Sequence, residues 1–354
     1  NSKNHNFTQK TFLSLEQGIT KKLSFALIVC TYKRPKPLLS LLDSVVLQSY
    51  LPDQILIIDG SEDDETKIAL QEKNHQNLDY FKVDAQDRGL TRQRNFGISK
   101  VNRDIEVVCF LDDDTILEPD YFKNLIKTYQ EFPNALGVGG YITNEVAWEK
   151  KPFGFKPKKN EFYFDGYYRK DGSRFVLRKK LGLDADRPPA HFPDFGHGRS
   201  VSFLPPSGKI YEVEQFMGGV ASYRKEVFAK LGFSKYFEGY GLYEDADFTL
   251  RLSKTGKLYV NTSACLEHHH DPSGRPDMFK YGKMVVRNGW YVWRVKYPNP
   301  SLKARLKWNT TAFLLTLIRA LNIITTSQKK MALQETLGRM VGWFSIMLNR
   351  PKVQ

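Results

Sequence analysis

Three apolar runs do most to limit what this chain can fold into: residues 23–31 (LSFALIVCT), 54–60 (QILIIDG) and 107–111 (VVCFL). They are apolar at successive rather than alternate positions, so both faces of each strand must be covered. Segments of helical spacing separate them. These are residues 37–49 (PLLSLLDSVVLQS), 64–76 (DETKIALQEKNHQ) and 91–101 (TRQRNFGISKV), with a short strand at 79–83 and a helix at 119–132 opened by Pro119. Strands buried on two faces and linked by helices predict a parallel sheet with right-handed crossovers. Such sheets gather ligands at the carboxyl ends of their strands. Three polar clusters fall there: Thr31–Arg34, Asp59–Ser61 and Asp112–Asp114. Together they outline one site.

Adjacent carboxylates repel, so the Asp112–Asp114 triplet calls for a nearby cation, either Lys and Arg or a divalent metal. An exposed acidic turn ahead of Pro119 is the plainer alternative. Glu244, Asp245 and Asp247 open a further helix, where the dipole favours the anion and makes Asp245 a weaker base. His268, His269 and His270 follow the next strand, as surface imidazoles or as metal ligands.

Six segments, VCTYKRP, IIDGSEDDET, RGLTRQRNFGI, FLDDDTILEPDYF, FMGGVASYRKEVF and GYGLYEDADFTLRLSKTGK, stand in an order and spacing that resemble glycosyltransferase family 2, over about residues 24–275. The resemblance implies an α/β GT-A fold: a Rossmann-like, mostly parallel sheet flanked by helices, here with a C-terminal helical appendage. It also implies an inverting, metal-dependent enzyme that passes one sugar from a nucleotide-sugar, a UDP-sugar first, to an acceptor hydroxyl with Mn²⁺ or Mg²⁺. By position, Thr31, Tyr32, Arg34 and Asp59 match the donor loops and the base contact, and Arg94 and Asn95 the donor-side pair. Asp112 and Asp113 match positions near ribose and metal, and Asp114 the direct metal ligand. Asp245 matches the catalytic base with Glu244 beside it, His268 the metal histidine, and Gly218 and Gly219 the acceptor side. The Asp59–Gly60 pair departs from the family's usual Asn or Asp-Asn.

The implied domains are an N-terminal extension (1–22), a catalytic domain (23–275) and a basic helical region (276–354). The catalytic domain divides into a donor half (23–147), an aromatic and basic insertion or mobile flap (148–211) and an acceptor half (212–275).

The net charge of +14 raises the question of nucleic acid, but it is concentrated. From residue 276 onward 14 Lys and Arg face only Asp277 and Glu335, so most of it sits in a tail that also holds four of the five tryptophans. No recognition motif accompanies it, and no nucleic-acid partner is expected. Basic helices bearing Trp, Phe and Leu suit an anionic membrane surface. Docking onto the catalytic core or a homodimer contact are the alternatives. The apolar stretches are too short to span a bilayer. Three scattered cysteines indicate a reducing compartment. The expected location is therefore the cytoplasm, peripheral to the inner membrane face, with a lipid-linked or cell-envelope glycan as acceptor. A dehalogenase-like phosphoryl-transfer reading of Asp112 is disfavoured by the strand–helix units that precede it. A nucleotidyltransferase reading lacks its glycine-rich first loop.

Overall fold

The computed structural model describes residues 22–73, 75–237, 239–270 and 277–353. All of the expected N-terminal extension except Lys22, and the boundary at 275–276, lie outside the described residues.

The alternation read from the apolar runs is present: β1 (Phe25–Thr31), α1 (Pro35–Val46), β2 (Gln54–Asp59), α2 (Glu65–Gln71), β3 (Leu78–Lys82), α3 (Leu90–Lys100) and β4 (Val107–Asp112). A short β5 (Thr115–Leu117), α4 (Tyr121–Glu131) and β6 (Ala135–Ile142) follow. The 148–211 stretch is organised as β7 (Glu149–Lys150), β8 (Glu161–Phe164), β9 (Tyr167–Lys170) and α5 (Ser173–Lys180). The chain then returns through β10 (Ile210–Val213), β11 (Val220–Arg224), α6 (Glu244–Leu252) and β12 (Lys257–His268). Three helices close it: α7 (Met278–Lys296), α8 (Leu302–Thr325) and α9 (Lys329–Leu348).

Among the described residues the main sheet has the order β10-β12-β6-β11-β4-β1-β2-β3, with β5 pairing β12. β1 runs parallel to β2 and β4, and β2 to β3, whereas β11 enters antiparallel between β4 and β6. The two-faced apolarity is used as expected. Phe25, Leu27 and Val29 pack with Leu38, Leu41 and Phe122 on one side, while Ala26, Ile28 and Ile58 pack with Phe248 on the other. α1 starts with proline, whose fixed φ suits a first helical turn, and buries Leu38, Leu41, Leu42 and Val45 at helical spacing.

The 148–211 stretch is a packed unit. Its three strands pair in the order β7-β9-β8. Arg199 makes a bidentate pair with Asp171 (2.9 and 3.1 Å) and reaches Asp184 (2.8 Å), with its guanidinium 4.3–4.7 Å from the rings of Phe162, Phe175 and Phe203. This arrangement supplies an interior that no hydrophobic periodicity announces.

The C-terminal helices dock on the catalytic part. α7 buries Tyr291, Val292, Trp293 and Val295 in a cluster with Phe237, Ala246 and Leu250, each large side chain contributing about 1.5–3 kcal/mol. Asn288 donates to the Leu242 carbonyl (2.9 Å), just ahead of α6. No described helix is long and apolar enough to cross a membrane.

Candidate active site

The carboxyl ends of β1, β2 and β4 meet the start of α6 and the end of β12. The β12–β5 pairing sets Thr115 opposite His268, and the His269 N–H donates to the Asp114 carbonyl (2.9 Å). That register brings residues more than 150 positions apart to one point. His268 Nε2 lies 3.0 Å from Asp114 Oδ1. One donor atom each from Asp112, Asp114 and His268 falls within 4.8 Å of the others.

The three aspartates divide. Asp113 is buried, accepting from Thr31 Oγ1 (2.7 Å) and Arg34 Nη1 (3.0 Å). Burial pushes its carboxyl up to about 6, with Arg34 and Thr31 opposing. Arg34 also reaches Asp114 (3.4 Å), while the Asp112 side chain is 38% exposed and faces the opening. The cations expected beside the triplet are therefore present as Arg34 on one side and His268 on the other. Burial works against a charged His268, but Asp114 and Glu145 outweigh it and push the ring up to about 10. Glu145 sits 3.7 Å from His268 Nδ1 and 2.7 Å from His270 Nε2, and the three form a second cluster of potential ligands.

Across the cleft, Tyr243 adopts a left-handed conformation (φ 70°) that turns the chain into α6, so Glu244 and Asp245 occupy its first turn. Glu244 is buried and ion-paired with Arg94 of α3, and Arg94 Nη2 lies 3.7 Å from Asp112. Burial pushes Glu244 up with Arg94 opposing, and Arg94 stays charged between two acids. Asp245 accepts from the Ala246 N–H (2.7 Å) and the Gly218 N–H (3.3 Å). The sequence anticipates a weak base there. Burial reverses this, raising the carboxyl above the ordinary aspartate range against the two N–H groups and Arg94.

Gly218 and Gly219 lie between these groups. A Cβ on Gly219 would stand 2.0 Å from Asp112 Oδ2, and one on Gly218 2.5 Å from Glu244 Oε1. Only bare backbone fits, and it ties both sides: the Gly219 carbonyl accepts from the Asp112 N–H (3.0 Å) while the Gly218 N–H reaches Asp245.

Two expected donor-binding residues have other work. Asp59 is fully buried, and its oxygens are taken by Ser61 (2.8 Å to N, 2.5 Å to Oγ) and Tyr80 (2.8 Å), so it holds the turn after β2 rather than facing the cleft. Asn95 exchanges both amide bonds with the Phe233 backbone (2.8 and 3.0 Å), clamping α3 to the segment before α6. Tyr32 is exposed at the mouth, 3.4 Å from Glu62. Two residues not singled out from the sequence are Gln93, which donates to the Thr31 and Ile58 carbonyls (3.1 and 2.8 Å), and Glu145; Gln93 lies within the RGLTRQRNFGI segment, whereas Glu145 lies outside all six segments.

The chain is similar to known proteins. The family model described as glycosyl transferase family 2 matches residues 26–181, and one described as N-terminal domain of galactosyltransferase matches residues 198–269. The O-antigen chain rhamnosyltransferase RfbN of Salmonella typhimurium is 31% identical over 278 residues, 77% of this chain and 74% of that one. Glucosyl-dolichyl phosphate glucuronosyltransferase of Haloferax volcanii is 29% identical over 147 residues, 40% of this chain, and the match spans 44% of that protein's length. Among solved structures, the mannosyltransferase PcManGT from Pyrobaculum calidifontis, in complex with GDP-Man and Mn²⁺, shares the fold with a TM-score of 0.52 at 14% identity, covering 92% of this chain and 89% of that one. On this evidence the chain belongs to glycosyltransferase family 2.

Proposed function

We propose that the protein is an inverting glycosyltransferase that moves a single sugar from a nucleotide-sugar to an acceptor hydroxyl at this cleft. The Gly218–Gly219 backbone carries the reading, because it bridges the acidic end of β4 on one side and Asp245 on the other. Asp112, Asp114 and His268 would hold the divalent cation, with the His268 ring giving up the proton that Asp114 and Glu145 favour in the ion's absence. Two carboxylates with an imidazole suit Mn²⁺ better than Mg²⁺, which prefers oxygen alone. When bound, such an ion neutralises the charge that builds on a diphosphate leaving group.

The remaining chemistry belongs to the chain. Asp245 takes the proton of the acceptor hydroxyl as that oxygen bonds to the anomeric carbon; the bond to the diphosphate oxygen breaks and its electron pair leaves with the nucleoside diphosphate. The raised carboxyl of Asp245 makes it a better base than an exposed aspartate. Glu244 and Arg94 fix the wall behind it. Thr31 and Arg34 hold Asp113 and so set the donor loop. Gly218 and Gly219 leave the acceptor side open.

UDP-sugars are the first donors to test, beside GDP- and dTDP-sugars. The names of two relatives favour a lipid-linked or cell-envelope acceptor. We read the C-terminal helices as the part that meets an anionic membrane surface, at the cytoplasmic face, with residues 23–275 as the catalytic domain. The test is Asp245→Asn. Transfer should fall by about 10²- to 10⁴-fold, the usual worth of a general base, while nucleotide affinity is unchanged. Retained turnover would remove Asp245 from the role.

A further inference from the structure

Among α7, α8 and α9 lies a cavity of about 220 Å³ that the transfer reaction does not use. Trp290, Trp293, Trp308 and Trp343 line it, with Trp293 and Trp308 stacked at 5.3 Å between ring centroids. Arg294, Arg305 and Arg350 converge on the same space. None of the three is ion-paired with a carboxylate among the described residues. Arg294 is wedged against Trp290 and Trp293 (5.5 and 5.6 Å to the ring centroids), and its Nε is buried without a hydrogen-bond partner. Burial and the cations of Arg305 and Arg350 lower its pKa. Three guanidinium groups around an aromatic-walled space, with no counter-charge among the described residues, form a site for an anion. The guanidinium fork matches phosphate in particular.

The surroundings specify what carries that phosphate. On α8, Leu302, Leu306, Phe313, Leu317, Leu321 and Ile324 are exposed at intervals of three, four and seven residues, which places them on one face. On α9, Leu333, Leu337, Met340, Phe344 and Met347 form a second exposed row, and Met347 also lines the cavity. α8 and α9 are antiparallel, with Arg319 paired to Glu335 and Asn309 to Trp343. Lys303, Arg305, Lys307, Lys329 and Lys330 stand at the two ends of this pair, and its acid, Glu335, is buried between Arg319 and Arg339. An apolar face framed by cations and continuous with a phosphate-matched cavity fits a phosphate headgroup with acyl chains attached.

We infer that the cavity lined by Arg294, Arg305 and Arg350 binds the phosphate headgroup of an anionic membrane phospholipid while the two apolar rows of α8 and α9 lie among its acyl chains. This deepens the membrane reading above and rests on it.

The full chain is tested with vesicles of phosphatidylglycerol, vesicles of phosphatidylcholine, and free glycerol phosphate, following both pelleting and tryptophan emission. Four of the five tryptophans line the cavity, so emission reports on it directly. Phosphatidylglycerol vesicles should pellet the protein and shift its emission, and phosphatidylcholine vesicles should do neither. Replacing the two exposed arginines, Arg305→Gln with Arg350→Gln, should weaken binding about 30-fold, as expected for two cations at a charged surface. Pelleting with unchanged emission, or pelleting unaffected by that double substitution, overturns the cavity assignment and leaves membrane binding standing. Equal pelleting by both lipids overturns the headgroup. A response to glycerol phosphate without pelleting makes the ligand a soluble phosphate. Dimerisation without vesicle binding gives the apolar rows to a second copy of the chain. Either of these last two outcomes overturns the lipid.

Discussion

Replacing Arg94 with methionine isolates the buried ion pair that backs the candidate active site. The side chains of Arg94 and Glu244 are 3% and 6% exposed, so removing the guanidinium leaves a carboxylate in a dry place. Losing one partner of such a pair costs about 3–5 kcal/mol. At roughly 2 °C per kcal/mol for a chain larger than 250 residues, the melting temperature should fall by about 6–10 °C. The reciprocal change, Glu244→Leu, should cost less. Arg94 would keep Asp112 at 3.7 Å and the rings of Phe233 and Phe110 at 5.2 and 5.7 Å. The double variant, Arg94→Met with Glu244→Leu, buries two apolar side chains and should recover to within a few degrees of the parent, because the stranded charge is gone. It should nevertheless show no sugar transfer. Reversible denaturant unfolding of the four proteins gives the coupling directly. If the two single losses simply add in the double variant, Arg94 and Glu244 are not a unit and the account of this wall is wrong.

Other outcomes follow from single residues. Gly219→Ala should lower divalent-metal affinity by about 10- to 100-fold by calorimetric titration, since its Cβ displaces Asp112; unchanged affinity would remove Asp112 from the set. His268→Ala should weaken Mn²⁺ binding while leaving Asp113 and its loop intact, measurable by Mn²⁺ relaxation enhancement. His197 packs on Trp308 with Nε2 buried and unpartnered, and burial together with Arg178 pushes it down to about 3. The unfolded chain takes up this proton near pH 6.5 and the folded one refuses it, so stability drops as pH falls through that window. Between pH 6.5 and 4.5 the parent should lose about 2 kcal/mol more than His197→Leu; equal losses would refute the assignment.

The parallel strands were legible because burial on two faces leaves an unbroken apolar run, and the acidic triplet because like charges need a partner. Glu145, Gln93 and the ties of Asn95 and Asp59 were not. Asn95 meets a backbone 138 residues away, a contact no local spacing encodes. Asp59 looks like any acid at a strand end until Ser61 and Tyr80 enclose it. In the 148–211 stretch an arginine among aromatic rings takes the place of an aliphatic core, so periodicity had nothing to report. The tail read as basic and apolar, but only its packing distinguishes the row that α7 buries from those that α8 and α9 expose.

The pairing of Thr115 with His268 also bears on the order of folding. β4 and β5 are made long before β12, so the three aspartates lack their imidazole until the last strand is laid down. An ion that needs Asp112, Asp114 and His268 together cannot assist any earlier species. Such an ion would be a latch rather than a nucleus: Mn²⁺ should slow unfolding and leave the refolding rate unchanged.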